Sequence, residues 1–252
     1  MLKIKKKRHG INIIDCWYAE EPIRDKGVVR YMEAMFPVRG REKRTVRTLL
    51  SDLTENEEEI LHHFSKNCLY KVKRAPREGV TCKFYGPEEI LSGDIIEKFG
   101  DFFEEFWKSK SVDYQDKQKC MDEIRLYAQN NAVVIATASV GEKVVVYHVD
   151  VMDDKTARLL HSASQFRIDE EIPQTVVGFA NRYLHKESLL FFKKMGKQNY
   201  DWGGAGQNDE VASITAFKES FGGTEKFFYN GQVANGVSAK IYEWIIAILN
   251  KF

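Results

Sequence analysis

The chain has 252 residues, 43% of them hydrophobic and 12% aromatic, so it can bury a sizeable core as one large domain or two small ones, and intrinsic disorder is excluded. With 38 basic and 37 acidic residues the net charge is +1, and no global field draws the chain to nucleic acid or to a membrane. Four cysteines, Cys16, Cys68, Cys82 and Cys120, form no CxxC pair, which argues against zinc spacing and a disulfide framework and for reduced, buried thiols.

Residues 1–8 carry Lys3, Lys5, Lys6, Lys7 and Arg8, read as a solvated basic terminus. No apolar stretch follows that would make it a secretory signal, and no segment reaches the ~20 apolar residues of a membrane helix. The expectation is a cytoplasmic protein without membrane insertion. Residues 11–14 and 45–50 read as strands, with Pro22, Gly27, Pro37 and Gly40 between them. Residues 1–53 thus form lead-in strands packed on a main body of residues 54–252.

Thr54, with Glu57 three residues on, reads as a capping box, and Ile60, Leu61, Phe64, Cys68, Leu69 and Val72 recur at helical spacing until Pro76. His62 and His63 are adjacent on this helix and point in different directions, so no metal site is expected. A strand follows at 80–85, then helices at 94–109 and 116–130. The period then changes. Strands at 132–140, 143–151 and 156–164, joined by Gly141-Glu142 and Asp153-Asp154-Lys155, read as an antiparallel meander. A helix starting between Val177 and Asn181 ends at Gly196, and a short strand 200–202 runs into Gly203-Gly204. A helix over 211–221 is closed by Gly222-Gly223, a strand over 224–230 by Gly231, and 241–249 is a last helix or strand.

The densest local signal lies between Gly178 and Gly223. Ala180-Asn181-Arg182-Tyr183-Leu184-His185, then Tyr200-Asp201-Trp202-Gly203-Gly204, then Phe217-Lys218-Glu219-Ser220-Phe221-Gly222-Gly223 occur in order within 46 residues. Ser162-Ala163-Ser164-Gln165-Phe166-Arg167 precede them. This set resembles the C-terminal part of FemAB-like and related GNAT-fold acyltransferases, over roughly residues 54–231. The resemblance implies an α/β fold, with a GNAT-like mixed central sheet and flanking helices, and an N-acyltransferase. The donor it implies is acetyl-CoA or another acyl-CoA, with aminoacyl-tRNA as the alternative, the acceptor is the amine of an amino sugar or cell-envelope precursor, and no metal takes part. The chain is too short for the two such domains of full-length FemAB proteins. Residues 165–178 lack the glycine pair that cradles pyrophosphate in many acetyl-CoA-dependent members. A non-catalytic binding module on the same fold is the competing class.

Amine acylation needs a group to orient or deprotonate the amine and a donor or cation for the developing oxyanion. Asp201 at a strand end is the leading candidate for the first, with His161 and His148 as alternatives, and Lys218 for the second. Arg167, Asn181, Arg182 and His185, near a helix start, are expected to hold the donor's phosphates. Tyr200, Trp202, Gly203 and Gly204 are expected to border the substrate.

Overall fold

The computed structural model describes residues 1–110, 116–165, 171–204 and 209–249. In chain order the elements are β1 (Leu2–Arg8), β2 (Ile11–Trp17), β3 (Gly27–Ala34), β4 (Arg41–Asp52), α1 (Glu57–His62), α2 (Lys66–Arg74), β5 (Val80–Tyr85), α3 (Pro87–Ser92), α4 (Ile95–Lys110), α5 (Lys117–Gln129), β6 (Val133–Val140), β7 (Lys143–Met152), β8 (Thr156–Ser164), α6 (Gln174–Lys194), β9 (Asn199–Asp201), α7 (Asp209–Glu219), β10 (Thr224–Asn235) and α8 (Val237–Leu249). They fall into two compact units: Met1–Thr48 with Gly204–Gly206 and Glu225–Phe252, and Leu49–Gly203 with Gln207–Thr224. The boundary between the units falls inside β4, and the chain from Glu225 onward returns to the first unit.

In the first unit β1 pairs antiparallel with β2, β2 parallel with β3, and β3 antiparallel with β10. The basic terminus is therefore a strand. Its side chains alternate about Ile4, which is fully buried, while Lys3 and Lys5 pair with Asp25 and Lys6 with Asp15. Ile14, Cys16, Val29, Tyr31 and Val38 form one core, and Ile13, Val28 and Ala239 of α8 a second. The strand expected to stop at Gly231 continues to Asn235 through a register shift between Tyr229 and Gly231.

In the second unit the end of β4 pairs antiparallel with β9, β9 parallel with β8, and β8, β7, β6 and β5 follow antiparallel, so the meander and the mixed sheet are both present. The helix expected over 54–75 is two helices. Asn56, not Thr54, makes the capping box with Glu59, and Ser65 caps α2 by accepting from the Cys68 amide. These side-chain acceptors restart the helix after His63. Tyr147 packs on Phe99 and Phe102 of α4, while the next residue, His148, bonds Asn181 of α6. The two helices therefore cover opposite faces of the sheet. Under α6 lies a core of Leu189, Phe192, Tyr200, Trp202 and Phe221, all fully buried.

Candidate active site

The site begins with a strand that loses its partner. β8 pairs with β9 only at Thr156↔Asn199, Ala157↔Tyr200 and Arg158↔Asp201. β9 ends there, while β8 continues to Ser164, paired among the described residues only with β7 on its other edge. A cleft of about 490 Å3 opens along this edge, lined by Leu159, Ser162 and Ser164 of β8, Gly178, Asn181, Arg182 and His185 of α6, and Phe217 and Lys218 of α7. The α6 residues recur at i, i+3, i+4 and i+7, which puts them on one helical face. Phe106 and Ser109 of α4 complete the wall.

Lys218 is 8% exposed, and its Nζ donates to the Gly203 carbonyl at 3.0 Å. Burial, aided by the charge of Arg158 and opposed by Asp201, lowers its pKa to about 8. Gly203 adopts φ +68°, and a Cβ there would lie 2.8 Å from the Leu159 carbonyl, so only glycine fits. Its amide donates to Asp201 Oδ1 at 2.8 Å, and Asp201 Oδ2 lies 3.8 Å from Arg158 Nε. Arg158, Asp201, Gly203 and Lys218 form one connected chain of contacts that ends at the cleft.

On α6, His148 Nε2 lies 3.0 Å from Asn181 Oδ1, and with a donating Nε2–H the Asn181 NH2 remains for the cleft. The His148 and His185 rings lie 4.0 Å apart, and both are buried. Burial lowers His148 to about 4; burial, then the charges of His148, Lys218 and Arg182, push His185 well below the usual imidazole range. Both are neutral imidazoles at pH 7. Arg182 sits over the Phe217 ring at 4.6 Å, its pKa lowered by burial. The cleft thus offers two cations and an amide donor, with no carboxylate among its described lining residues.

The structure brings together Asn181, Arg182, His185 and Lys218 of the residues singled out from sequence. Arg167 lies outside the described residues. Asp201 is fully buried behind the wall and bound to Gly203 rather than facing the cleft, which a general base would have to do. His161 lies on the other face of β8, against Phe99, Phe103 and Cys120, its pKa lowered by burial to about 4. Tyr200 and Trp202, expected beside the substrate, are fully buried core: Tyr200 donates to Asp150 and Trp202 to Ser51. Gly204 is exposed, and a Cβ on it would meet nothing within 4 Å. The helix expected to start between Val177 and Asn181 starts at Gln174, so Asn181 lies within α6. Sequence reading did not single out Ser162, Ser164, Phe217 or Arg158 as site residues; the register shift between Leu159 and His161 brings Ser162 and Ser164 onto the same side as Leu159, which plain strand alternation does not show.

No family model and no curated protein sequence matches the chain. Solved structures do. FemX superposes with a TM-score of 0.59 at 11% identity, over 79% of this chain and 63% of that one. L-PGS from Bacillus licheniformis gives 0.51 at 14% identity, and the C-terminal domain of a putative lysylphosphatidylglycerol synthetase from Agrobacterium fabrum 0.52 at 12%, each over 88% of this chain and 73% of theirs. The chain spans less than two thirds of the FemX length. The mixed sheet with helices on both its faces is, with these likenesses, the fold shared with FemX and the lysylphosphatidylglycerol synthetase domain.

Proposed function

We propose that the second unit is an N-acyltransferase that binds an activated acyl donor along the open edge of β8 and delivers the acyl group to an amine. The observation that supports this reading is Lys218, a buried cation tethered to the Gly203 carbonyl where β9 leaves β8. The reaction needs a charge at that place. An uncharged amine attacks the carbonyl carbon, and the oxygen gains negative charge, which Lys218 stabilises. The C–S bond to the leaving thiol then breaks, and the thiolate takes up a proton released from the new ammonium. Asn181 and Arg182 hold the donor's anionic groups, Asp201 and Gly203 position Lys218, and Tyr200 and Trp202 support the wall from behind.

Acyl-CoA is the first-choice donor, because the lining cations suit phosphates and no described carboxylate is present to hold a cationic aminoacyl side chain. An aminoacyl-tRNA donor is the second reading, favoured by the likeness to proteins named for lysylphosphatidylglycerol synthesis. Thermal-shift titration with acetyl-CoA, longer acyl-CoA and charged tRNA separates the two. A rise in Tm with acyl-CoA that is lost in Arg182→Met supports the first. A response to charged tRNA alone supports the second, and no response to any donor removes the transferase reading.

A further inference from the structure

The near-zero net charge of the chain hides a strong asymmetry. The first unit holds sixteen lysines and arginines against eight carboxylates; the second holds twenty-two against twenty-nine. In that basic unit α8 is covered on one side only. Its inner side buries Ala239 and packs Tyr242 beside Ile13 and Val28. Its outer side exposes Val237, Ile241, Trp244, Ile245 and Ile248, with Trp244 66% exposed. Spacings of four, three, one and three residues make this a single stripe along a 13-residue helix, about 20 Å long. A helix facing water would carry lysines and glutamates there; a continuous apolar stripe marks a contact surface.

The cations stand beside it. A depression of about 630 Å3 is lined by Arg24, Arg39 and Lys240, together with Asn235 and Gly236 at the start of α8. Arg39 also lines a second depression of about 730 Å3, with Lys43 and Arg44. None of these five side chains has an anionic partner among the described residues.

We infer that the first unit docks on an anionic membrane surface, with the outer stripe of α8 in the headgroup boundary and Arg24, Arg39 and Lys240 on lipid phosphates. Charge selects this occupant. A second copy of the chain would set two surfaces of the same strong positive charge against each other. RNA would use the cations but leave the Trp244 and isoleucine stripe in water. An anionic bilayer uses both: tryptophan favours the interface, and Lys and Arg are drawn to its surface potential. No described helix is long and apolar enough to cross a membrane, so α8 lies on the surface. The inference is independent of the transfer reaction, since none of these residues lines the cleft.

Vesicle flotation tests it with the purified 252-residue chain. The chain should float with vesicles of equal parts phosphatidylglycerol and phosphatidylcholine, should not float with phosphatidylcholine alone, and should lose most binding in ~1 M salt. Trp244→Ser combined with Ile245→Ser should weaken binding about 10-fold or more, since the apolar area supplies the insertion. Arg39→Ser combined with Lys240→Ser alters only exposed side chains and should give a similar loss, which keeps the test open if the apolar variant misfolds. Absence of flotation, equal flotation with neutral vesicles, or a concentration-dependent dimer abolished by Trp244→Ser without vesicle binding would each overturn the inference. So would tRNA binding that ignores Trp244 while vesicles fail to bind.

Discussion

α6 and α8 each pack on a sheet, and they differ in which rule of burial they break. α6 carries polar groups inward: His185 and Ser188 are buried, with Arg182 half-buried beside them. α8 carries apolar groups outward, at Ile241, Trp244 and Ile245. Both are departures from the ordinary sorting of side chains, and each costs stability or solubility. The second unit keeps cations and neutral imidazoles out of water, which makes electrostatics strong inside a cleft. The first unit displays cations and a greasy stripe, which suits a surface. The difference teaches that buried polar groups mark chemistry and exposed apolar ones mark docking.

The sharpest way to break the comparison is at the turn whose Gly203 carbonyl holds Lys218. Gly203→Val puts a β-branched side chain at φ +68° with its Cβ 2.8 Å from the Leu159 carbonyl. Destabilisation of about 3 kcal/mol or more is expected, with loss of donor binding. Gly204→Val has open space and no positive φ, so thermal and donor-binding measurements should find it close to wild type. Equal damage at both positions would mean that the turn is loose and does not set the site.

Lys218→Met sharpens the contrast between stability and chemistry. Turnover with the responding donor should fall about 10²-fold or more, yet denaturant unfolding at pH 7 should show a gain of about 1–2 kcal/mol. The lysine is protonated in both states at pH 7, and a pKa depressed from 10.5 to about 8 is a cost of burial. Loss of the Gly203 hydrogen bond offsets part of the gain. Because the folded value lies below the unfolded one, the cost is full below pH 8 and fades as pH rises toward 10.5. The variant's advantage should therefore shrink over that window. Wild-type turnover should fall above pH 8, as the cation is lost; a rate that rises through pH 8 would instead make Lys218 a base.

How much of this was legible in the sequence follows from the same physics. The meander over β6, β7 and β8 could be read because β-branched residues and tight turns encode it locally. The cluster of Asn181, Arg182, His185 and Lys218 was reachable from the ordered run of motifs. The setting of Asp201 could not be read, because a strand-end carboxylate looks the same in sequence whether it faces a cleft or ties down the Gly203 amide. Tyr200 and Trp202 sit next to it in sequence, but β9 is only three residues long, and the fully buried Trp202 follows its end. The split of the 54–75 helix was legible at Ser65, whose hydroxyl competes as a cap. Basic strand β1 was hidden because its only buried apolar residue is Ile4.

Acidity probes the buried polar groups next. His148 and His161 have folded values near 4 against 6.5 unfolded, so the stability present above pH 6.5 is lost as pH falls toward 4. Asp150 opposes them. Burial raises it to about 7, so it favours the folded state below pH 4 and loses that contribution as pH rises through 7. Asp150→Asn keeps an acceptor for Tyr200 and removes the opposing group. Thermal melts should show this variant gaining on wild type above pH 7, with the gain gone near pH 4. A constant difference across that range would place the ionised carboxylate in a wetter setting than its burial indicates.

The smallest expected effect compares two tryptophans. Trp202 is fully buried, hydrogen-bonded to Ser51 and packed edge-on to Tyr200, so Trp202→Ala should cost about 3–5 kcal/mol. Trp244 stands on the outer side of α8 with two thirds of its surface in water, and in the absence of vesicles Trp244→Ala should change unfolding free energy by no more than about 0.5 kcal/mol. Equally small is the helix-propensity term, since alanine is the better helix former. A large aromatic side chain that contributes almost nothing to folding is retained for something outside the fold. A loss of several kcal/mol would show instead that Trp244 is covered within the free protein, and the outward-facing stripe of α8 would cease to differ from the buried face of α6.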